Sequence, residues 1–255
     1  MEIGTEHVQL SRLTGSQLER INLNMFKDGR ATPQRPGSED TRQRILETAL
    51  VQFRDKGFEH ATMREIAAAA GLSLGATYYY FDSKEAIVAA YYDHTQRQHR
   101  DRAAAAFAAA PGLKQRLLAA YHTKIDVMEG DQRLLRALFR FGGDPDHRLS
   151  WFGPASRDQR RLSIEVFEAA IAREKLPDDV RAAAPTLLWT LHMGILLYFV
   201  YDTSPGHRRT RKLIDAAVAF VIDAKRIATL PLMRPMRTRV LTVLQEAGLL
   251  PAPTV

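Results

Sequence analysis

The 255-residue sequence has no cysteine, which excludes disulfides, thiolate metal sites and cysteine nucleophiles together and fits a reducing compartment, the cytoplasm. Met1 to Glu19 lack the basic start and apolar run of a signal peptide. The longest apolar stretch, Leu187–Tyr201 (LLWTLHMGILLYFVY), is short of the ~20 residues a membrane span needs and carries His192, so a buried core or interface helix is expected and no membrane partner. No run alternates with the period of a strand, and no internal repeat is found. There is no nucleophile–base spacing, no Gly-rich phosphate loop and no metal-ligand cluster. His94 and His99 are five apart, one more than the spacing that stacks two ligands on a helix face. The expectation is a chain that is not an enzyme and holds no cofactor, no catalytic site and no metal.

What is present is enough apolar residue, 45%, to bury a sizeable core, with an ordinary charged fraction of 25%. The net charge of +7 invites a nucleic-acid reading, but its distribution weakens that inference. Residues 1–100 hold 13 Lys/Arg against 13 Asp/Glu, and residues 101–255 hold 23 against 16. Residues 205–239 alone have nine Lys/Arg against Asp215 and Asp223, which reads as a solvated face or, less simply, a surface for an anionic partner.

Residues 1–38 show no strong period, and Arg30–Ser38 (RATPQRPGS) reads as a flexible arm, with a weakly amphipathic stretch at Leu10–Phe26 before it. Regular order is expected from Glu39. Ile45, Leu46, Ala49, Leu50 and Phe53 lie one turn apart on a helix face, and Gly57 suits its left-handed cap with Phe58 packing back. Thr62 and Glu65 form a capping box that opens a short helix, Met63 to Ala70, closed by Gly71. Ser73 caps a third helix reaching Phe81, and Asp82 or Ser83 caps a long fourth that passes Arg102. Pro and Gly breaks leave further helices near 113–128, 132–141, 155–175, 178–202, 207–228 and 236–247, with Pro185 expected to kink or restart its helix.

Two short helices joined by a glycine turn read as a helix-turn-helix. Ala67 is small where the helices approach, Gly71 can take the positive φ of the turn, and Ile66 and Leu72 hold the angle. The small Ser73, Gly75 and Ala76 let the second helix enter a major groove about 12 Å wide. The run TMREIAAAAGLSLGATYYYFDSKEAI, Thr62 to Ile87, resembles the DNA-binding domain of the TetR family of bacterial transcriptional regulators, and the likeness extends over roughly Glu39–His99. The family pattern is met at Ala70, Gly71, Leu72, Ser73, Gly75, Tyr78, Tyr80, Phe81, Ser83, Lys84 and Glu85. It implies an all-α fold, a three-helix helix-turn-helix domain followed by a helical ligand-binding and dimerisation domain. The divisions are a flexible arm at 1–38, the DNA-binding domain at 39–99 with the motif at 62–81, the ligand and dimer domain at 100–228, and a tail at 229–255.

The resemblance implies that Thr62, Lys84 and Tyr78 meet phosphate and that Arg64, Leu74, Ala76 and Tyr79 face base edges. Arg64 has the fork that matches guanine, and Ala76 suits a thymine methyl. Leu74 stands where many relatives are polar, and Thr77 where an apolar residue packs inward. Arg42 and Arg44 can reach the backbone and Lys27, Arg30 and Arg35 a minor groove, although a solvated surface explains these charges equally well. Tyr78, Tyr79 and Tyr80 point about 100° apart on a helix, so they cannot all face inward; Tyr80 is expected to pack under the domain.

The implied partners are a palindromic double-stranded DNA operator, a second copy of the chain and a small-molecule effector. Pairing is expected through helices near 155–175 and 185–202. Candidate effector-pocket residues are Tyr121, His122, Met128, Phe139, Trp151, Phe152, Trp189, His192 and Met193, residue types that line adaptable apolar cavities but fill plain cores more often. The fourth helix, joining both domains, is the expected lever. A regulator answering to a protein partner and, more remotely, an all-helical enzyme are the rival readings.

Overall fold

The computed structural model describes residues 36–144, 146–151 and 153–250. The expectations for Leu10–Phe26, Lys27, Arg30, Arg35 and Phe152 fall outside them. The chain divides into two units, Met1–Arg42 and Gln43–Val255, and the packing below belongs to the second.

Every regular element among the described residues is helical. Helix α1, Pro36–Lys56, buries Ile45, Leu46, Ala49, Leu50 and Phe53 along the stripe their spacing dictates. It ends at Gly57, whose φ of 89° belongs to glycine, and Phe58 turns back to meet Phe53 edge-on at 5.3 Å. Helices α2, Met63–Ala69, and α3, Leu74–Tyr80, follow. The Thr62–Glu65 capping box is formed in both directions, which satisfies two amide donors that a seven-residue helix would otherwise leave open. Helix α4, Lys84–Ala109, is capped by Ser83, whose Oγ accepts from Ala86 N while donating to Asp82 Oδ1. The alternative cap Asp82 therefore serves the cap residue.

The larger part comprises α5 (Leu113–Val127), α6 (Gln132–Gly142), α7 (Arg157–Ile171), α8 (Asp178–Phe199), α9 (Arg208–Ala228) and α10 (Arg234–Glu246), with 3-10 turns at Pro154–Ser156, Pro205–His207 and Pro231–Met233. Helices α4, α5, α7 and α8 pack on one another, and the apolar core runs unbroken from Ile45 to Val218. Pro185 does not restart α8; the helix passes through it, because burial of Ala183, Pro185 and Leu188 beside α7 outweighs one missing backbone donor. Helix α8 also has the length and mean hydropathy (1.4) of a membrane span, but 44% of its most apolar stretch is buried within the protein.

The start of α9 is pinned by the buried Asp202. Burial alone would raise this carboxyl, but hydrogen bonds from Ser204 and Thr210, each through backbone N and hydroxyl, outweigh it and hold the pKa well below the usual carboxylate range. The basic segment 205–239 is no bare cationic face. Arg211 pairs with Asp126, Lys225 with Glu174 and Arg237 with Asp179, which clasps the last helices onto their neighbours, and Arg226 pairs with Asp223 within α9.

Candidate nucleic-acid interface and effector cavity

The helix-turn-helix presents α3 outward. Ala70 caps α2, Gly71 takes a φ of 69°, and the Leu72 amide donates back to Ala67 O, closing the turn tightly. Thr77 is fully buried and spends its hydroxyl on Ser73 O, so a polar residue fills the inward position without an unmet donor. Tyr79 is 82% exposed and Tyr78 48%, while Tyr80 is half-buried against the core and meets Tyr79 edge-on. Gly75 is exposed, and a Cβ there would meet nothing within 4 Å. Ser73 Oγ caps the Ala76 amide, and Ala76 is half-exposed. Arg64 projects from α2, exposed and without a hydrogen-bond or ionic partner among the described residues. Arg44 is exposed on α1, and Arg42 is half-buried.

Two expected contact residues have other engagements. Leu74 is half-buried and packs against the core, because the first turn of α3 lies down on the domain. The Lys84 ammonium donates to Phe58 O at 2.7 Å and Glu59 O at 3.3 Å and sits 4.7 Å above the Phe58 ring. It ties α4 to the loop after α1, so any phosphate would compete with, or join, an existing structural clasp.

A cleft opens in the larger part between α4, α5, α6, α7 and α8. Its volume is about 590 Å³ when the open space at its mouth is included, and little of that is wide enough for a water molecule, so the cleft is narrow. Met128, Phe139, Trp151, Trp189, His192 and Met193, six of the expected residues, line it. Phe139 and Trp151 meet edge-on at 3.9 Å, and Trp151 Nε1 donates to Tyr92 Oη at 2.8 Å.

Tyr121 and His122 stand elsewhere. Tyr121 is a buried core residue whose hydroxyl donates to Leu188 O, with its ring behind the cavity against Phe167 and His192. His122, one residue on and so about 100° round α5, faces outward and pairs with Asp215 of α9 at 3.1 Å.

The sequence reading missed the polar end of the cleft, lined by Thr95, Gln96 and Lys124. Both Gln96 and Lys124 fall on the apolar stripes of their helices, as in Leu113, Leu117, Ala120, Tyr121, Lys124, Ile125, and a polar residue in such a register was the available signal. Lys124 Nζ donates to Gln96 Oε1 at 2.5 Å, and burial lowers its pKa to about 7. Burial first and the Lys124 charge second lower His99 to about 3, and the same causes hold His192 well below its usual value, so both rings are neutral.

Between the cleft and the helix-turn-helix lies α6. Leu135 and Phe139 face the cleft. At its start the buried Asp131 accepts from Arg54 Nε of α1 at 2.6 Å and from Tyr91 Oη of α4 at 2.8 Å. Arg133 donates to the last carbonyls of α1, Asp55 O and Lys56 O, and Arg140 pairs with Glu59. The Phe141 ring meets Phe58 at 5.7 Å.

Of the two helices expected to pair, α8 alone exposes large apolar side chains. Helix α7 turns Val166, Phe167, Ala170 and Ile171 inward and presents no large exposed apolar side chain. Leu187, Leu197 and Tyr198 of α8 and Leu213, Phe220 and Ile227 of α9 are exposed.

Comparison with known proteins agrees with this architecture. The family model for bacterial regulatory proteins of the tetR family matches residues 45–91, and that for a tetracyclin repressor-like C-terminal domain matches residues 116–235. The HTH-type transcriptional repressor KstR2 of Rhodococcus jostii is 23% identical over 154 residues, covering 56% of this chain and 72% of that protein. A TetR transcriptional regulator from Nitrosomonas europaea superposes with a TM-score of 0.59 at 20% identity over 71% of this chain and 97% of its own. Thermus thermophilus FadR, a TetR family repressor solved in complex with lauroyl-CoA, gives a TM-score of 0.54 at 20% identity over 70% of this chain and 93% of its own. With both halves matched in order and the helix-turn-helix geometry intact, this chain belongs to the TetR family of bacterial transcriptional regulators.

Proposed function

We propose that the chain acts in the cytoplasm, without enzymatic activity, as a homodimeric repressor that holds a palindromic operator and releases it when a small molecule enters the cleft. Residues 39–99 are the reading head, with Arg64, Ala76 and Tyr79 toward base edges and Arg42, Arg44, Thr62, Ser73, Gly75, Tyr78 and Lys84 toward the backbone. Residues 100–228 sense and pair, leaving 229–255 as a tail. A small-molecule effector is supported by the likeness in fold to Thermus thermophilus FadR, which was solved in complex with lauroyl-CoA, an acyl thioester.

One observation carries the reading: α6 has Leu135 and Phe139 in the cleft and Asp131, Arg133 and Arg140 on the helix-turn-helix side. A ligand that parts the cleft must move α6, and α6 holds the end of α1 and, through Tyr91, the body of α4. This extends the lever beyond α4 alone. The ligand's different affinity for two positions of α6 is what shifts the operator equilibrium.

The contact surface is tested with Arg64→Ala and Gly75→Ala on selected operator DNA and on random DNA, by fluorescence anisotropy. Arg64→Ala is expected to lose about 1–3 kcal/mol on the operator, relax one position of each half-site and leave random DNA nearly unchanged. Gly75→Ala removes a helix glycine into open space, so stability should hold or rise by up to about 1 kcal/mol, yet operator affinity should fall because the backbone can no longer come as close. Equal losses on both DNAs for Arg64→Ala, or unchanged operator binding by both variants, would remove α2–α3 from the reading surface.

A further inference from the structure

The polar end of the cleft has hydrogen-bond donors to spare and no anion. Lys124 is 3% exposed, and no carboxylate lies within ion-pairing distance of it among the described residues. Its ammonium has three donors, and Gln96 Oε1 takes one. Gln96 Nε2 is buried with no partner, and both ring nitrogens of His192, itself 2% exposed, are without one. Arg160 also lines the cleft, spending Nη1 on Trp151 O. Among the described residues no Asp or Glu lines the cleft, and the acid that touches the Gln159 amide, Asp93, already accepts from it. Buried unpaired charge and unmet donors are both costly, so a cleft built this way is stabilised by a guest that brings acceptors and negative charge. The remaining walls, Phe139, Trp151, Trp189 and Met193, are apolar or aromatic, and the cleft is narrow.

We propose that the effector is a monocarboxylate with a slender apolar body, its carboxylate seated against Lys124 Nζ, Gln96 Nε2 and the His192 ring N–H. A carboxylate offers about four acceptor sites and no donor, the complement of what these three present. An alcohol or amide of the same body fills the apolar walls but leaves the ammonium without a counter-charge, and a cation meets Lys124 and Arg160. The amine, lowered to about 7 by burial, is drawn back to the charged form by such a guest. This inference rests on the proposal that the cleft is the sensing site, but it concerns only what binds there.

The only two tryptophans of the chain, Trp151 and Trp189, both line the cleft, so their fluorescence reads occupancy without DNA. Full-length protein is titrated at pH 7 with decanoate, decanamide, 3-phenylpropionate and 3-phenylpropanamide, an aliphatic and an aromatic pair. At least one carboxylate is expected to bind tenfold or more tightly than its own amide. Lys124→Met, checked for helix content and melting, is expected to abolish that preference while leaving amide binding within about threefold. The wild-type comparison decides the matter even if the variant fails to fold. Amides binding as tightly as their carboxylates, a preference that survives Lys124→Met, or no fluorescence response to either carboxylate would each overturn the proposal. Operator release, followed separately by anisotropy, tests the regulatory reading: a Lys124-dependent carboxylate that binds without releasing DNA defeats repression and leaves this inference standing, whereas release by amides and carboxylates alike does the reverse.

Discussion

Lys124, His99 and His192 form a buried cluster of bases from α5, α4 and α8, with Arg160 of α7 facing the same cleft and no carboxylate of the described residues among its walls. Its charge state is written into the pH dependence of folding. The folded amine titrates at about 7 because burial disfavours its charged form, while an unfolded lysine titrates near ~10.4. Between those values the unfolded chain binds a proton that the folded chain does not, so stability rises with pH by up to about 1.4 kcal/mol per unit. The two histidines, His99 at about 3 and His192 well below its usual value, act on the acid side. Below about 6.5 the unfolded imidazoles take protons the folded ones refuse, and stability falls as pH drops. Urea denaturation from pH 5 to 10 is therefore expected to show stability climbing on both sides of neutrality, with Lys124→Met flattening only the alkaline arm. A wild-type curve flat from pH 7 to 10 would mean that the amine stays charged. At this scale the sequence was legible where a residue's role is local. The Thr62–Glu65 box, the positive φ of Gly57 and Gly71 and the inward Thr77 depend on neighbours within four positions. Lys124 went unnoticed and His122 was placed in the cleft because their partners, Gln96 and Asp215, lie 28 and 93 residues away. Which of two adjacent residues faces a cleft is settled by the rotation of α5, and no side-chain preference reports that.

Among the elements α6 carries the most for its length. Its eleven residues and the Asp131 cap before them join the cleft to α1 and α4, Asp131 being the carboxylate that Arg54 and Tyr91 share. The Tyr91 hydroxyl is buried, and burial followed by the Asp131 charge pushes its pKa well up, so it stays a donor. The sequence marked a helix near 132–141 but gave no reason to prefer it over α4 as the lever, since the contacts that distinguish it span 40 to 81 residues. Asp131→Asn keeps the shape and removes the charge from both bonds. Arg54 is 42% exposed and recovers water, so the stability cost should be about 1–3 kcal/mol rather than that of a fully buried pair. The sharper consequence is in coupling. Typical coupling energies are about 1–3 kcal/mol, so an effector that weakens operator binding ~5- to 150-fold in the wild type should weaken it several-fold less in Asp131→Asn, with effector affinity for the DNA-free protein little changed. Undiminished release by the variant would show that the signal bypasses α6, through α4 alone.

For the whole molecule, the described residues of α8 and α9 leave several large apolar side chains in water. Phe220 is 73% exposed and Leu197 45%, on helices whose opposite faces are already packed by Ile214, Val218, Ile195 and Phe199. A second copy meeting this face across a twofold axis would form a four-helix contact, and self-complementarity is what such an axis requires. The apolar run Leu187–Tyr201, expected as a core or interface helix, supplies one side of this face. For its mate we propose α9 in place of the helix expected near 155–175, because α7 turns its apolar residues inward. Phe220→Glu and Leu197→Glu place charges where the monomer has only solvent, so each variant should keep its helix content. Together they should shift the chain to a monomer by light scattering at micromolar concentration. One helix-turn-helix then meets one half-site, and losing the linked second contact should cost roughly 10²- to 10⁴-fold in operator affinity while random-DNA binding falls far less. If the double variant stays dimeric and binds its operator undiminished, pairing runs through another surface. The exposed stripe of α10, Met236, Val240 and Val243, is then the face to mutate next, since a helix with no buried residue of its own lacks any other reason to keep three apolar side chains in register.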